Sequence, residues 1–151
     1  PEEKRADLLT AYYEQLTGED EIARMTAAKA WSLFEGRCAS LQPNPRLREH
    51  FAEPHLAISL ARIECHYFMN RCCLTAGQSL NRMHRIKHIP GIIVHGRYDV
   101  ICTMNNAWDL HQQWPGSELD IIRDAGHAAS EPGITDALIR ATRKFAAHFN
   151  R

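Results

Sequence analysis

No window of this 151-residue sequence approaches the roughly 18 consecutive apolar residues that a helix needs to span a bilayer, so no membrane-crossing helix is expected. Neither sign of charge is in excess. The 18 basic and 18 acidic residues cancel, which leaves no electrostatic footprint for nucleic acid or for an anionic membrane surface. The amino end, Pro1-Glu2-Glu3-Lys4-Arg5, lacks the apolar run of a signal peptide. It reads instead as helix-start chemistry met in mid-protein, with a proline in the first turn and two acids behind it. The five cysteines are an odd number: Cys38, Cys65, Cys72, Cys73 and Cys102 lack secretory context and read as the reduced thiols of a cytoplasmic protein. No Cys-x-x-Cys pair recurs, so the crowding of Cys65, His66, Cys72 and Cys73 is not a zinc pattern. That segment is expected to be one continuous helix with its cysteines buried as small hydrophobes. No metal or other cofactor is expected.

What is present is ordinary for a soluble globular chain with one good core: 44% apolar and 24% charged residues, without repeats or low-complexity runs. Residues 2–17 place Leu8, Leu9, Tyr12, Tyr13 and Leu16 at 3-4 spacing on one helical face, with Gly18 as the cap. A second helix is expected from Asp20 to Phe34, its alanines allowing close packing, with Gly36 ending it. Gln42-Pro43-Asn44-Pro45 reads as loop, because two prolines oppose regular helix. A third helix starts near Pro54 and carries Leu56, Leu60, Ile63, Tyr67 and Phe68. A short one covers residues 78–86, and Ile89-Pro90-Gly91 breaks it.

From residue 92 the texture changes to strand, acid, helix, strand, histidine, helix. Ile92-Ile93-Val94-His95 is short, β-branched and uncharged, the pattern of a strand buried on both faces of a parallel sheet. Gly96-Arg97-Tyr98-Asp99 then puts an acid at the strand's carboxyl end, where open α/β sheets carry their sites. A helix over residues 105–114 follows. The strand Leu119-Asp120-Ile121-Ile122 then leads to Asp124-Ala125-Gly126-His127, and a last helix covers residues 134–149. Such a unit normally pairs parallel strands with both carboxyl ends on one edge, and adjacent strands lie about 4.8 Å apart. Asp99 and His127 are therefore expected to meet. A carboxylate on one imidazole nitrogen fixes the tautomer and leaves the other as a general base, which supplies two thirds of a nucleophilic triad in the order acid then histidine.

The remaining third is absent, since no Gly-x-Ser-x-Gly elbow occurs and none of the serines has the flanking glycines. The pair either belongs to the carboxyl-terminal part of a larger enzyme or has a structural role. The acid-then-histidine order is that of the α/β-hydrolases, which leaves open an esterase, epoxide hydrolase or dehalogenase, and outside that fold a non-catalytic truncated helical module.

Gly96-Arg97-Tyr98-Asp99-Val100-Ile101-Cys102, Ala107-Trp108-Asp109-Leu110-His111, Trp114-Pro115, Asp124-Ala125-Gly126-His127 and Glu131-Pro132-Gly133-Ile134 closely resemble the bacterial proline iminopeptidases. Ala28-Lys29-Ala30-Trp31-Ser32-Leu33-Phe34-Glu35-Gly36 and Ala61-Arg62-Ile63-Glu64-Cys65-His66-Tyr67-Phe68 resemble that family's cap signatures. Thr103, Cys65 and Phe34 depart from the family's usual residues without removing a charged group. The resemblance implies a fragment of an α/β-hydrolase, with residues 1–88 as part of a helical cap and residues 89–151 as two strand-helix units of a parallel sheet. It also implies a serine peptidase that releases amino-terminal proline from peptides. In that reading Asp99 is the triad acid, His127 the general base, and Glu35 and Glu64 the carboxylates that receive the substrate's charged imino group. The serine would come from the missing amino-terminal part. Cut from that part, the sheet is expected to leave an apolar edge and face exposed.

Overall fold

The computed structural model of the protein describes residues 2–149. Pro1, read above as a first-turn proline, lies outside them. The chain forms two compact units. One comprises the residues up to Arg37 together with Asn44–Ala76, and the other Cys38–Pro43 together with the residues from Gly77 onward.

The first unit is helical: α1 (Leu8–Thr17), α2 (Glu21–Cys38), α3 (Pro45–Ala52) and α4 (Pro54–Met69). The helix expected over residues 2–17 is two elements, a 3₁₀ turn at Glu2–Ala6 and then α1. Asp7 makes the break. Its backbone is non-helical, and its carboxylate accepts the Thr10 N–H at 3.1 Å and the Thr10 hydroxyl at 2.7 Å, so it caps a new helix rather than continuing the old one. Gly18 ends α1 as expected, its N–H donating to the Glu14 carbonyl. Asp20 opens α2 by accepting from the Ile22 and Ala23 amides.

Gly36 does not end α2. It is buried inside the helix, where a Cβ would stand 2.9 Å from Cβ and Cγ of Phe51, so the glycine is there to admit that ring. Phe51 belongs to α3, a helix not anticipated from the two prolines. Pro45 occupies its first turn, where the missing N–H costs nothing, and the Asn44 side chain caps it by accepting the Leu47 N–H at 3.0 Å. Ser32 of α2 donates to the Phe51 carbonyl at 2.6 Å. The small residues Ala27 and Ala28 of α2 and Ala57, Ala61 and Cys65 of α4 close around Leu16, with Tyr12 and Trp31 packed beside them.

The expected continuous helix through Cys73 stops at Met69: the Asn70 N–H makes a last helical bond to the His66 carbonyl, which its side-chain amide also reaches, and at φ −101° and ψ 18° its backbone leaves the helix. Arg71, Cys72 and Cys73 follow with φ of 51°, 54° and 56°. Of the five thiols only Cys65 is buried; Cys38 is intermediate, and Cys72, Cys73 and Cys102 are exposed, which corrects the expectation of buried helical cysteines.

In the second unit the helix expected at residues 78–86 is α5 (Gln78–Asn81) followed by a 3₁₀ turn at Met83–Arg85. Then come β1 (Gly91–Gly96), α6 (Met104–Gln112), β2 (Ser117–Ile122) and α7 (Pro132–Phe149). The strands pair in parallel, from Gly91 opposite Ser117 to Gly96 opposite Ile122, so their carboxyl ends are level. Both α6 and α7 pack on both strands, and Ile122, Ala125, Ile134 and Ala137 with Val94 form the core. This is the α/β architecture expected of residues 89–149. The burial of β1 is less than expected: Ile92 to His95 are half-buried, since β1 has one partner strand among the described residues.

Candidate active site

Level strand ends alone do not bring Asp99 to His127. Beyond β1 the chain turns at once: the Asp99 N–H returns to the Gly96 carbonyl, the Arg97 N–H reaches the Ile122 carbonyl at 2.8 Å, and the Tyr98 N–H reaches that of Ala125 at 3.0 Å. The two post-strand loops are thus tied backbone to backbone. At their crossing the Gly126 carbonyl oxygen sits where Gly96 would carry a side chain. His127 is the next residue.

His127 Nδ1 lies 2.9 Å from Asp99 Oδ2. A carboxylate can only accept, so Nδ1 carries the proton, and in the neutral imidazole Nε2 keeps a lone pair. The other carboxylate oxygen, Oδ1, accepts the Ile101 and Cys102 amides at 2.9 and 2.8 Å. Burial pushes the Asp99 carboxyl up, but the Cys102 amide, the His127 imidazole and the Ile101 amide together outweigh it and hold the carboxyl below the ordinary aspartate value. The acid is nearly sealed, with a side chain 5% exposed, while that of His127 is 39% exposed. A buried acid orients a histidine that solvent or a reactant can reach, which is the arrangement of a general base. A cavity of about 230 Å³ adjoins the pair, with His95, Cys102, Gly126 and Ala129 in its wall.

The two cap glutamates lie in the first unit. Glu35 lines an apolar cavity of about 410 Å³ formed by Leu8, Leu9, Tyr12, Trp31, Phe34 and Phe68. Glu64 is half-buried, and its Oε2 accepts the Trp31 indole N–H at 2.7 Å. Its partner is therefore Trp31 rather than Arg62 or His66, the neighbours its sequence position offers. The Trp31 ring meets Tyr12 edge-on at 5.2 Å and stacks on Phe68 at 6.0 Å, so the Glu64 carboxylate is held by one wall of that cavity.

Two residues of the second unit take roles that the sequence reading does not assign. His95 of β1 donates Nε2–H to the Cys102 carbonyl at 2.9 Å, with the same nitrogen 3.7 Å from Asp99 Oδ2, so it closes the turn whose amides hold the acid. The signal was available, because an imidazole inside an otherwise apolar strand needs a partner. Glu131 is buried, and both its oxygens accept backbone N–H groups in the histidine's surroundings. Among the described residues no group of three or more His, Cys, Asp or Glu side chains is placed to hold a metal ion, and no helix is long and apolar enough to cross a membrane.

No protein-family model matches the sequence. The chain is 51% identical over 148 residues to a probable proline iminopeptidase of Leptolyngbya boryana, covering 97% of this chain and 46% of that protein. It is 47% identical over 147 residues to a proline iminopeptidase of Xanthomonas citri, covering 97% and 47%. Among solved structures, an esterase from Exiguobacterium antarcticum aligns with a TM-score of 0.47 and 17% identity over 96% of this chain and 48% of that one. The resemblance carried by the motifs thus extends over nearly the whole chain, while the chain spans about half the length of the curated relatives it matches.

Proposed function

We propose that this chain, similar over nearly its whole length to the proline iminopeptidases, is the carboxyl-terminal part of a serine aminopeptidase that removes amino-terminal proline from peptides. The observation that carries the reading is the 2.9 Å contact from His127 Nδ1 to a buried, amide-held Asp99. It supports a general base in the one tautomer that can serve a nucleophile. The chain has no Gly-x-Ser-x-Gly elbow, so the serine belongs to the rest of the protein. His127 Nε2 takes the serine proton as the hydroxyl oxygen attacks the prolyl carbonyl carbon. The same nitrogen then protonates the leaving amine, and water repeats the sequence on the prolyl ester.

Residues 1–88 serve as the cap and residues 89–151 as part of the hydrolase core. Glu35 and Glu64 receive the secondary ammonium of the terminal proline. Such an ammonium offers two N–H donors, and charge-assisted bonds to a pair of acids would reject an internal peptide nitrogen. The apolar wall of Leu8, Tyr12, Trp31 and Phe68 beside Glu35 suits the pyrrolidine ring. A cytoplasmic location accords with the five thiols, none of them in a disulfide among the described residues.

In the full-length protein, His127→Ala should abolish turnover of proline 4-nitroanilide; unchanged turnover removes the triad assignment. Glu64→Gln should weaken binding of amino-terminal proline far more than it impairs attack on a simple ester, and equal loss on both counts against amine binding. The 151-residue chain alone should not turn over proline 4-nitroanilide.

A further inference from the structure

The residue that holds the histidine loop in place stands at the start of α7. Glu131 is 8% exposed, and its backbone carbonyl accepts the Thr135 N–H at 2.9 Å, as a helix cap should. Its carboxylate, however, bonds outside its own helix. Oε1 accepts the Gly126 N–H at 2.6 Å, and Oε2 accepts the Leu41 N–H at 3.0 Å, from a residue 90 positions earlier. Two residues before Leu41, the Ala39 carbonyl accepts both the His127 N–H at 3.0 Å and the Ala128 N–H at 2.7 Å. Three consecutive amides, those of Gly126, His127 and Ala128, are therefore pinned. One goes to Glu131 directly, and two go to a segment that Glu131 itself holds. The proposed proton transfer uses none of these bonds.

We infer that Glu131 is a positioning residue for His127, acting through the backbone on both sides of it. The inference rests on the proposed role of His127 as general base. A buried carboxylate accepting two backbone N–H groups makes short, charge-assisted bonds that few other side chains could replace. The histidine's backbone then has no freedom to slide, and its ring points to Asp99 because the peptide units around it are fixed. Glutamine has the same shape but only one acceptor oxygen. With a donor facing each oxygen of Glu131, its amide NH₂ must meet either the Gly126 or the Leu41 N–H head-on.

The test uses the full-length protein with proline 4-nitroanilide, comparing Glu131→Gln with Thr135→Val. The latter removes the Thr135 hydroxyl bond to the Ala129 carbonyl, at 2.8 Å, from the same loop, and so controls for a general loss of loop stability. Glu131→Gln should lower kcat roughly 10- to 100-fold with KM within about two-fold, while Thr135→Val keeps kcat within about two-fold. The low-field proton resonance of the His127–Asp99 hydrogen bond should shift or vanish in Glu131→Gln and persist in Thr135→Val. An unchanged kcat, an equal loss in both variants, or a loss of kcat with the resonance unmoved would each overturn the role. If Glu131→Gln does not fold, hydrogen exchange of the unmodified protein decides. A Gly126 amide protected as strongly as the β2 amides supports the inference, and one exchanging like an open loop defeats it. Full turnover by His127→Ala would instead sink the functional reading, leaving the resonance and exchange results to report on Glu131 alone.

Discussion

The carbonyl oxygen of Gly126 lies 1.9 Å from the point where a Cβ on Gly96 would stand, and the Ala125 carbonyl oxygen lies 2.8 Å from it. The last residue of β1 and the residue before the candidate base are thus fitted against one another with no room for a methyl group. Both obstructing atoms belong to backbone that is itself hydrogen-bonded: the Ala125 carbonyl to the Tyr98 N–H, and the Gly126 unit to Glu131.

Gly96→Ala should therefore force the two post-strand loops apart rather than be absorbed by a side-chain rotation. Overpacking of this kind costs about 1–3 kcal/mol, and because backbone must move the upper end is expected. Urea unfolding of the full-length protein would measure it. The same substitution should break the Asp99–His127 hydrogen bond and abolish turnover. A variant with parental stability would show that the loops have slack.

Asp99 also makes stability depend on pH in a defined direction. Its folded carboxyl titrates below the ordinary aspartate value: burial raises it, but the Cys102 amide, His127 and the Ile101 amide lower it by more. Such a group stabilises the fold fully above its unfolded value, near pH 4, and the contribution disappears as pH falls through the lower folded value. The urea midpoint of the parent should exceed that of Asp99→Asn at pH 5, and the margin should shrink in acid below about pH 4. A margin that grows as pH falls below about 4 would contradict the assignment.

Asp99 and His127 are legible in the sequence because each follows a short apolar strand, and parallel pairing brings strand ends together whatever lies between them. Glu131 is not legible by the same route. Its partner Leu41 lies 90 residues away, its other partner is a backbone amide, and neither leaves a periodic trace. The helix Pro45–Ala52 is hidden by prolines that read as breakers, although Asn44 ahead of Pro45 is a cap followed by the one helical position where proline fits. Gly36 misleads in the opposite sense. A glycine after a helical run suggests an end, but what it answers is the approach of Phe51 from a helix that local sequence does not reveal. The burial of β1 falls short of its sequence because apolar residues report what a strand can bury, and the one neighbouring strand among the described residues covers only part of that.

Trp31 offers the sharpest probe of the helical unit. Its indole N–H donates to Glu64 Oε2 at 2.7 Å while its ring packs on Tyr12 and Phe68. Phenylalanine keeps one aromatic ring but deletes the donor together with the second ring of the indole, leaving a half-buried carboxylate to find another partner or swing toward water. A hydrogen bond to a charged group contributes about 1.5–3 kcal/mol, so the carboxylate's fixed direction should be lost, and an ester substrate separates that loss from any loss of packing. If Glu64 receives the terminal amine, Trp31→Phe in the full-length protein should raise KM for proline 4-nitroanilide roughly tenfold or more, the equivalent of that bond. Hydrolysis of an ester without an amine should be nearly untouched. Equal effects on both substrates would assign Trp31 to packing alone, and an unchanged KM on both would show that the Glu64 carboxylate needs no indole to hold it.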